Sequence, residues 1–322
     1  MRSRSGHKRG EINSFLSLFR PPTADATIST VRDSIECLIS QWGSDHSLFE
    51  ANQLYRRMDI LDRLDAYFPA DSGSTHSELH RRAAALCARL NTANAELYQS
   101  IRLEIQQGTC PAAFARLFSS NTSPRPGNSY DYLDELISGV LQFDEPTEAP
   151  IHTGPEIVFY QPTPARHIFA LIAAAAISEN DVLVDLGSGL GHVPLLVSIC
   201  TGARCIGIEF EPAYVACARQ CAEKLNLDRV SFLEQDARDA DFSNGTVFYL
   251  YTPFTGSILQ AVMNSLRQQA ALRPIKICTF GPCTPAIAQE CWLEATGPGK
   301  TSPGTETTTP ETDQISVFLF RT

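Results

Sequence analysis

The chain has 322 residues, 43% of them apolar and 19% charged, with a formal net charge of −10. That length suits two domains of ordinary size, and that composition suits packed soluble cores rather than disorder throughout. Residues 1–150 carry 15 basic and 19 acidic side chains and residues 151–322 carry 11 and 17, which argues against a broad nucleic-acid surface, because phosphate contacts need a basic face.

The first ten residues include Arg2, Arg4, Lys8 and Arg9 but lead into no apolar h-region. They do not read as a secretion signal, and residues 1–27 are expected to form a disordered basic tail. The longest apolar run, Ile168–Ile177, is too short to span a bilayer. A cytoplasmic protein without a membrane segment is expected.

Residues 28–150 read as a helical domain and linker. Leu79, Leu86, Leu90, Leu97, Ile101 and Ile105 recur at helical steps and place one apolar stripe on a long helix. Gly108 and Pro111 supply its stop. A shorter helix is expected over Tyr130–Phe143, with Asn128 as its cap, after a loop at Ser119–Gly127. The polar stretch Asp144–Pro150 is the linker.

From 151 to 322 the pattern changes to short β-branched runs alternating with helical runs, the mark of a mostly parallel α/β sheet. Strands are predicted at Val182–Asp185, Ala203–Glu209, Val230–Glu234, Val247–Tyr251, Ile275–Phe280, Trp292–Ala295 and Ile315–Phe320. Helices should fill the first five gaps. The last two strands should form an antiparallel hairpin around a long mobile loop, Thr296–Gln314. The fold class is a Rossmann-like seven-stranded α/β sheet after an all-helical N-terminal region. The ten cysteines show no CxxC spacing. Cys217 and Cys221 share a helix face without further ligands nearby, so no metal site is expected.

The chemistry concentrates in Asp185-Leu186-Gly187-Ser188-Gly189-Leu190-Gly191, a glycine turn between a strand and a helix that begins near His192. Such a turn lets a ligand approach the backbone and meets it with a helix N-terminus. A dinucleotide needs glycine where His192 stands, and Asp185 would oppose its pyrophosphate. A carboxylate there suits a cation instead, such as the amino group or sulfonium of S-adenosylmethionine. The next strand ends in Glu209, placed to accept both ribose hydroxyls. The one after leads to Asp236 and Ala237, placed to meet the adenine amine and ring. Any one of these acids alone would be an ordinary loop residue. Three at consecutive strand ends, with the glycine loop at the first, point to one ligand.

The stretches DVLVDLGSGLGHVPLLVS, CIGIEFEP and LEQDARD resemble motifs I, II and III of class I S-adenosylmethionine-dependent methyltransferases. Within that superfamily the sequence is most similar to the non-SET histone-lysine methyltransferases of the disruptor-of-telomeric-silencing type, which carry a similar glycine loop and a Tyr-containing loop. Here that loop reads Tyr160-Gln161-Pro162-Thr163-Pro164, and the resemblance implies that Thr163 and its backbone hold the methionine carboxylate. The asparagine pair that lines the lysine channel of that family is replaced by Tyr251-Thr252-Pro253-Phe254, so histone-lysine specificity is not implied.

The cofactor-binding candidates are therefore Tyr160, Pro162, Thr163, Asp185, Gly187, Ser188, Gly189, Gly191, Glu209, Phe210, Asp236, Ala237 and Tyr251. Tyr251 and Tyr160 are the candidates beside the transferred methyl group, followed by His152 and His192, each with packing or gating as the blander role. The expected function is methyl transfer to a protein side chain or small molecule. The alternative is a non-catalytic S-adenosylmethionine-binding regulatory module, and a nicotinamide oxidoreductase stands behind both.

Overall fold

The computed structural model describes residues 27–68, 78–114, 130–144, 146–147, 154–296 and 312–321. The expected basic tail, the Asn128 cap, His152 and the body of the 296–314 loop lie outside these. Contact density divides the chain into Met1–Asn94 and Ala95–Thr322.

In the first unit, α1 (Thr27–Ser44), the 3-10 turn His46–Phe49, α2 (Leu54–Tyr67) and the start of α3 (Glu78–Gln106) carry a small apolar core of Ile35, Ile39, Leu48, Ile60, Leu64, Leu79, Leu86 and Leu90. Arg57 is buried in this unit. Its Nε donates to Asn94 Oδ1 at 2.6 Å, and its Nη1 donates to the carbonyls of Leu48 and Glu50 at 2.8 and 2.7 Å. A buried guanidinium is tolerated because these acceptors replace water.

The second unit contains the sheet. In chain order it holds the end of α3, α4 (Tyr132–Leu141), α5 (Ala165–Ala174), β1 (Val182–Leu186), α6 (His192–Thr201), β2 (Arg204–Glu209) and α7 (Pro212–Lys224). It continues with β3 (Val230–Glu234), β4 (Val247–Leu250), α8 (Gly256–Leu272), β5 (Lys276–Thr279), α9 (Thr284–Ala288), β6 (Leu293–Thr296) and β7 (Ser316–Phe320). The strand order is β3-β2-β1-β4-β5-β7-β6. The first five strands run parallel, and β7 pairs antiparallel with both β5 and β6. This is a Rossmann-like seven-stranded sheet. The chain order reverses beside β1, so the crevice for a ligand opens at the C-terminal ends of β1, β2 and β4. Val184, Leu186, Phe248, Leu250, Ile277 and Phe318 fill the core beneath it. No described helix is long and apolar enough to cross a membrane.

Three local expectations change. The cap of α4 is Asp131 rather than Asn128. Its carboxylate accepts from Leu133 N at 2.8 Å, while Asp134 Oδ2 accepts from Asp131 N at 2.7 Å, a reciprocal capping box. The gap between β3 and β4 holds a single 3-10 turn, Ala237–Asp239, instead of a helix. After it, Asp241 accepts from Ser243 N at 2.9 Å, a side-chain turn that competes with helix formation. β4 stops at Leu250, because Thr252 takes a left-handed backbone (φ 45°) that ends the strand.

The composition changes at the 144–150 linker, whereas compactness divides the chain earlier because α4 packs with the sheet-bearing unit. Arg102 of α3 donates to the terminal carbonyl of Val140, and Asp134 Oδ1 accepts from Ala165 N at the start of α5, at 2.8 Å. Asp131→Ala should destabilise the chain by about 1 kcal/mol, the usual value of an N-cap. An unchanged urea midpoint would show that the box contributes nothing.

Candidate active site

The strand ends bound a cavity of about 560 Å³. Asp185, on β1, forms part of its wall with the side chain almost fully buried. In register, Asp185 lies between Gly207 of β2 and Tyr249 of β4. No hydrogen bond reaches its carboxylate among the described residues. Burial pushes its pKa well above the usual carboxylate range, and the nearby Glu209 charge pushes it further. Ser188 Oγ is likewise buried on this wall with no partner. A buried acid and an unpaired hydroxyl call for a polar, cationic occupant.

The glycine loop is shaped by what crosses it. A Cβ on Gly187 (φ 79°) would stand 2.2 Å from the Pro253 side chain, and one on Gly189 (φ 52°) would stand 1.9 Å from the Tyr160 ring. Gly187 N and Ser188 N both donate to Ile208 O, at 2.8 and 3.0 Å, which sews the loop to β2. Gly189 and Gly191 are not on the cavity wall. Their side-chain space is taken by Tyr160 and Phe232, so they serve loop packing.

Glu209 lines the cavity and fastens the loop. Its Oε2 accepts from Gly189 N at 2.8 Å, and its Oε1 accepts from Phe210 N and Glu211 N at 2.8 and 2.9 Å. A carboxylate has about four acceptor positions. With three filled, one position remains for a ribose hydroxyl, and accepting both hydroxyls requires one of these bonds to open. Asp236 is also engaged. Arg238 donates to it through its backbone N (2.9 Å) and its guanidinium (2.6 Å at the closest), and this holds its pKa low. Phe210 and Ala237 complete that end of the wall.

The opposite end is aromatic. Thr163 Oγ1 and Tyr249 OH lie 3.0 Å apart, both buried. Tyr251 packs on Phe280 with ring centroids 4.7 Å apart. Tyr160 OH lies 3.2 Å from His192 Nδ1, and its ring lies 5.1 Å from that of Tyr214. His192, the first residue of α6, is half-buried: its ring packs on that of Phe143 with centroids 4.6 Å apart, and burial pulls its pKa down to about 4. It is therefore neutral at physiological pH. Tyr160, Pro162, Thr163, Asp185, Gly187, Ser188, Glu209, Phe210, Asp236, Ala237 and Tyr251 thus surround one space. Sequence reasoning missed Tyr249, although it stands on β4 only two residues before Tyr251 and both line the cavity. It also missed Arg238, whose engagement of Asp236 leaves no periodic signal.

Residues 177–276 match the family model described as a methyltransferase domain. The chain carries a class I methyltransferase domain. S-adenosylmethionine is the cofactor of such domains, and a cation-seeking acid beneath a glycine loop fits it. Over 88 residues the chain is 32% identical to the sterol 24-C-methyltransferase of Kluyveromyces lactis, covering 27% of this chain and 24% of that protein. Over 78 residues it is 37% identical to the erythromycin 3''-O-methyltransferase of Saccharopolyspora erythraea, covering 24% and 26%. The chain thus spans well under half the length of these curated relatives. A solved RNA methyltransferase from Salinibacter ruber, in complex with S-adenosyl-L-homocysteine, is 28% identical over 50% of this chain and 92% of its own, with a TM-score of 0.38. That score is too low to extend the argument. The family match supports the general methyltransferase domain and not the narrower histone-lysine type.

The neutral His192 gives the methyltransferase domain a pH signature. Unfolded histidine titrates near 6.5, and this one titrates at about 4. Between those values the unfolded chain binds a proton that the folded chain refuses. His192 should therefore withdraw roughly 2–3 kcal/mol of stability as pH drops from 7 to 4.5, while the raised pKa of Asp185 acts in the opposite sense. In His192→Gln that part of the slope should vanish. Equal pH slopes in urea melts of the two proteins would contradict the burial assignment.

Proposed function

We propose that the chain transfers a methyl group from S-adenosylmethionine to a small molecule or a protein side chain. The observation that carries this reading is the Asp185 carboxylate, buried without a donor beside Glu209 within the matched methyltransferase domain. Two acids so placed repel each other, and a positively charged ligand relieves the repulsion. A nicotinamide dinucleotide would bring its pyrophosphate to the same acids and raise their cost.

Bound S-adenosylmethionine supplies a methyl carbon already activated by its attachment to sulfonium sulfur. It would give up that methyl to the acceptor atom and depart as the neutral thioether S-adenosylhomocysteine, keeping the carbon–sulfur electron pair, as the acceptor loses a proton. The chain's task is to position the acceptor and exclude water. Tyr251 and Tyr160 line the reacting end. Tyr160 OH meets a neutral imidazole, and Tyr251 is held against Phe280, so both are assigned positioning roles.

A lysine-specific channel is not part of this reading. Thr252 replaces one of the expected polar residues, and its Oγ1 is turned inward. It accepts from Cys283 N at 2.9 Å and donates to Phe280 O at 3.3 Å. Two matched relatives are named for a sterol and for erythromycin, which supports the small-molecule arm. The competing reading, a module that binds S-adenosylmethionine without turnover, keeps the same cavity and differs only in producing no S-adenosylhomocysteine.

Asp185→Asn separates function from folding. Removing a buried charge should leave stability unchanged or raised. Affinity for S-adenosylmethionine should fall by roughly 10- to 100-fold, the value of a hydrogen bond to a charged group. Calorimetric titration of both proteins checks this. Undiminished affinity would remove Asp185 from the site, and absence of labelled methyl transfer into any extract fraction would favour the non-catalytic module.

A further inference from the structure

One part of the cavity wall away from the strand ends is the run Ile157, Val158 and Phe159, which leads into Tyr160. No charged side chain occurs between Glu156 and Arg166. All three apolar residues are open to solvent, and Phe159 is 82% exposed.

This exposure is imposed by the backbone. Ile157 forms an antiparallel bridge with Phe254, and Val158 N donates to Pro253 O at 3.1 Å. On the other side, the ring of Tyr160 occupies the space over Gly189. Glu156 fixes the start of the segment. Its carboxylate accepts from Ser257 N at 2.9 Å, Ser257 Oγ at 2.7 Å and Ile258 N at 3.3 Å, capping α8. Phe159 is thus held between two anchored neighbours with its ring directed away from the core. A fixed apolar strip continuous with a cavity is the arrangement that binds an apolar ligand.

The charges on the cavity wall belong elsewhere: Asp185 and Glu209 lie at the ends of β1 and β2, and Glu211, Asp236 and Arg238 lie on the turns after β2 and β3. They suit the polar ends of the cofactor. The remaining wall offers contact area and no counter-charge. Resting on the methyltransferase reading above, we propose that the methyl acceptor is a neutral small molecule whose apolar ring or chain seats on Ile157, Val158 and Phe159. A charged peptide side chain or a nucleotide would leave its charge unmatched there.

The test uses the full chain and two exposed-residue variants, Phe159→Ser and Val158→Ser. The probe is N-phenyl-1-naphthylamine, a neutral fluorophore that brightens in apolar sites. It should bind the parent protein saturably, and each variant should weaken that binding by roughly tenfold, as losing part of an apolar side-chain contact does. S-adenosylhomocysteine affinity, measured in parallel, should stay unchanged in both variants. Labelled methyl groups from S-adenosylmethionine should pass from a cell extract into the organic-soluble fraction, and less so with Phe159→Ser. Equal probe affinity in all three proteins, with S-adenosylhomocysteine still bound, would overturn the apolar seat alone. Label recovered in the protein fraction with a Phe159-dependent rate would replace the small molecule by a protein acceptor. Failure of the parent protein to bind S-adenosylhomocysteine would remove the underlying reading and this one with it.

Discussion

An acid buried at the tip of a central strand, with no donor to satisfy it, is the constraint on which the rest of the site depends. Asp185 is flanked in register by Gly207 and Tyr249, so its carboxylate is hemmed in by a bare backbone position and an aromatic ring. Leaving such a group unpaired costs stability unless it is protonated or met by a cation. Folding alone would favour a neutral residue there. The carboxylate therefore reads as a group kept for what enters the cavity, and its raised pKa is the cost of keeping it.

The other features of the site follow from holding that acid open to a ligand. The loop after β1 must bend sharply and pass under Pro253 and Tyr160, and glycine fills both crossings. Glu209 then fixes the bend by accepting Gly189 N while also gathering the first N–H groups of the turn after β2. One carboxylate thus organises two loops. Tyr160 and His192 close the far side, and the left-handed turn at Thr252 brings Pro253 over Gly187 while leaving Tyr251 on the cavity wall.

Much of this was legible in the sequence, for identifiable reasons. Strands buried on both faces, such as β1 and β4, are short apolar runs, and all seven strands lay within a residue or two of their expected ends. The hairpin order of β6 and β7 followed from the lack of any helical pattern between them. Residues at strand tips, such as Asp185, Glu209 and Asp236, were readable because topology alone brings them together. What escaped was set by side-chain geometry. The 3-10 turn at Ala237–Asp239 depends on Asp241 bonding Ser243 N, and the α4 cap depends on which of several polar residues faces the helix. The occupied state of Glu209 and Asp236, and the exposure of Phe159, depend on distances that no spacing rule contains. The narrower family likeness rested on loops, where sequence varies most easily, and it was the part that found no support.

The most direct measurement is a crystal structure of the chain grown with S-adenosylhomocysteine. The account predicts the ligand in the cavity at the ends of β1, β2 and β4, with its amino-acid end toward Asp185 and Thr163, its ribose at Glu209 and its purine near Phe210 and Ala237. Density for the ligand elsewhere, or a cavity left to water at saturating ligand, would contradict it.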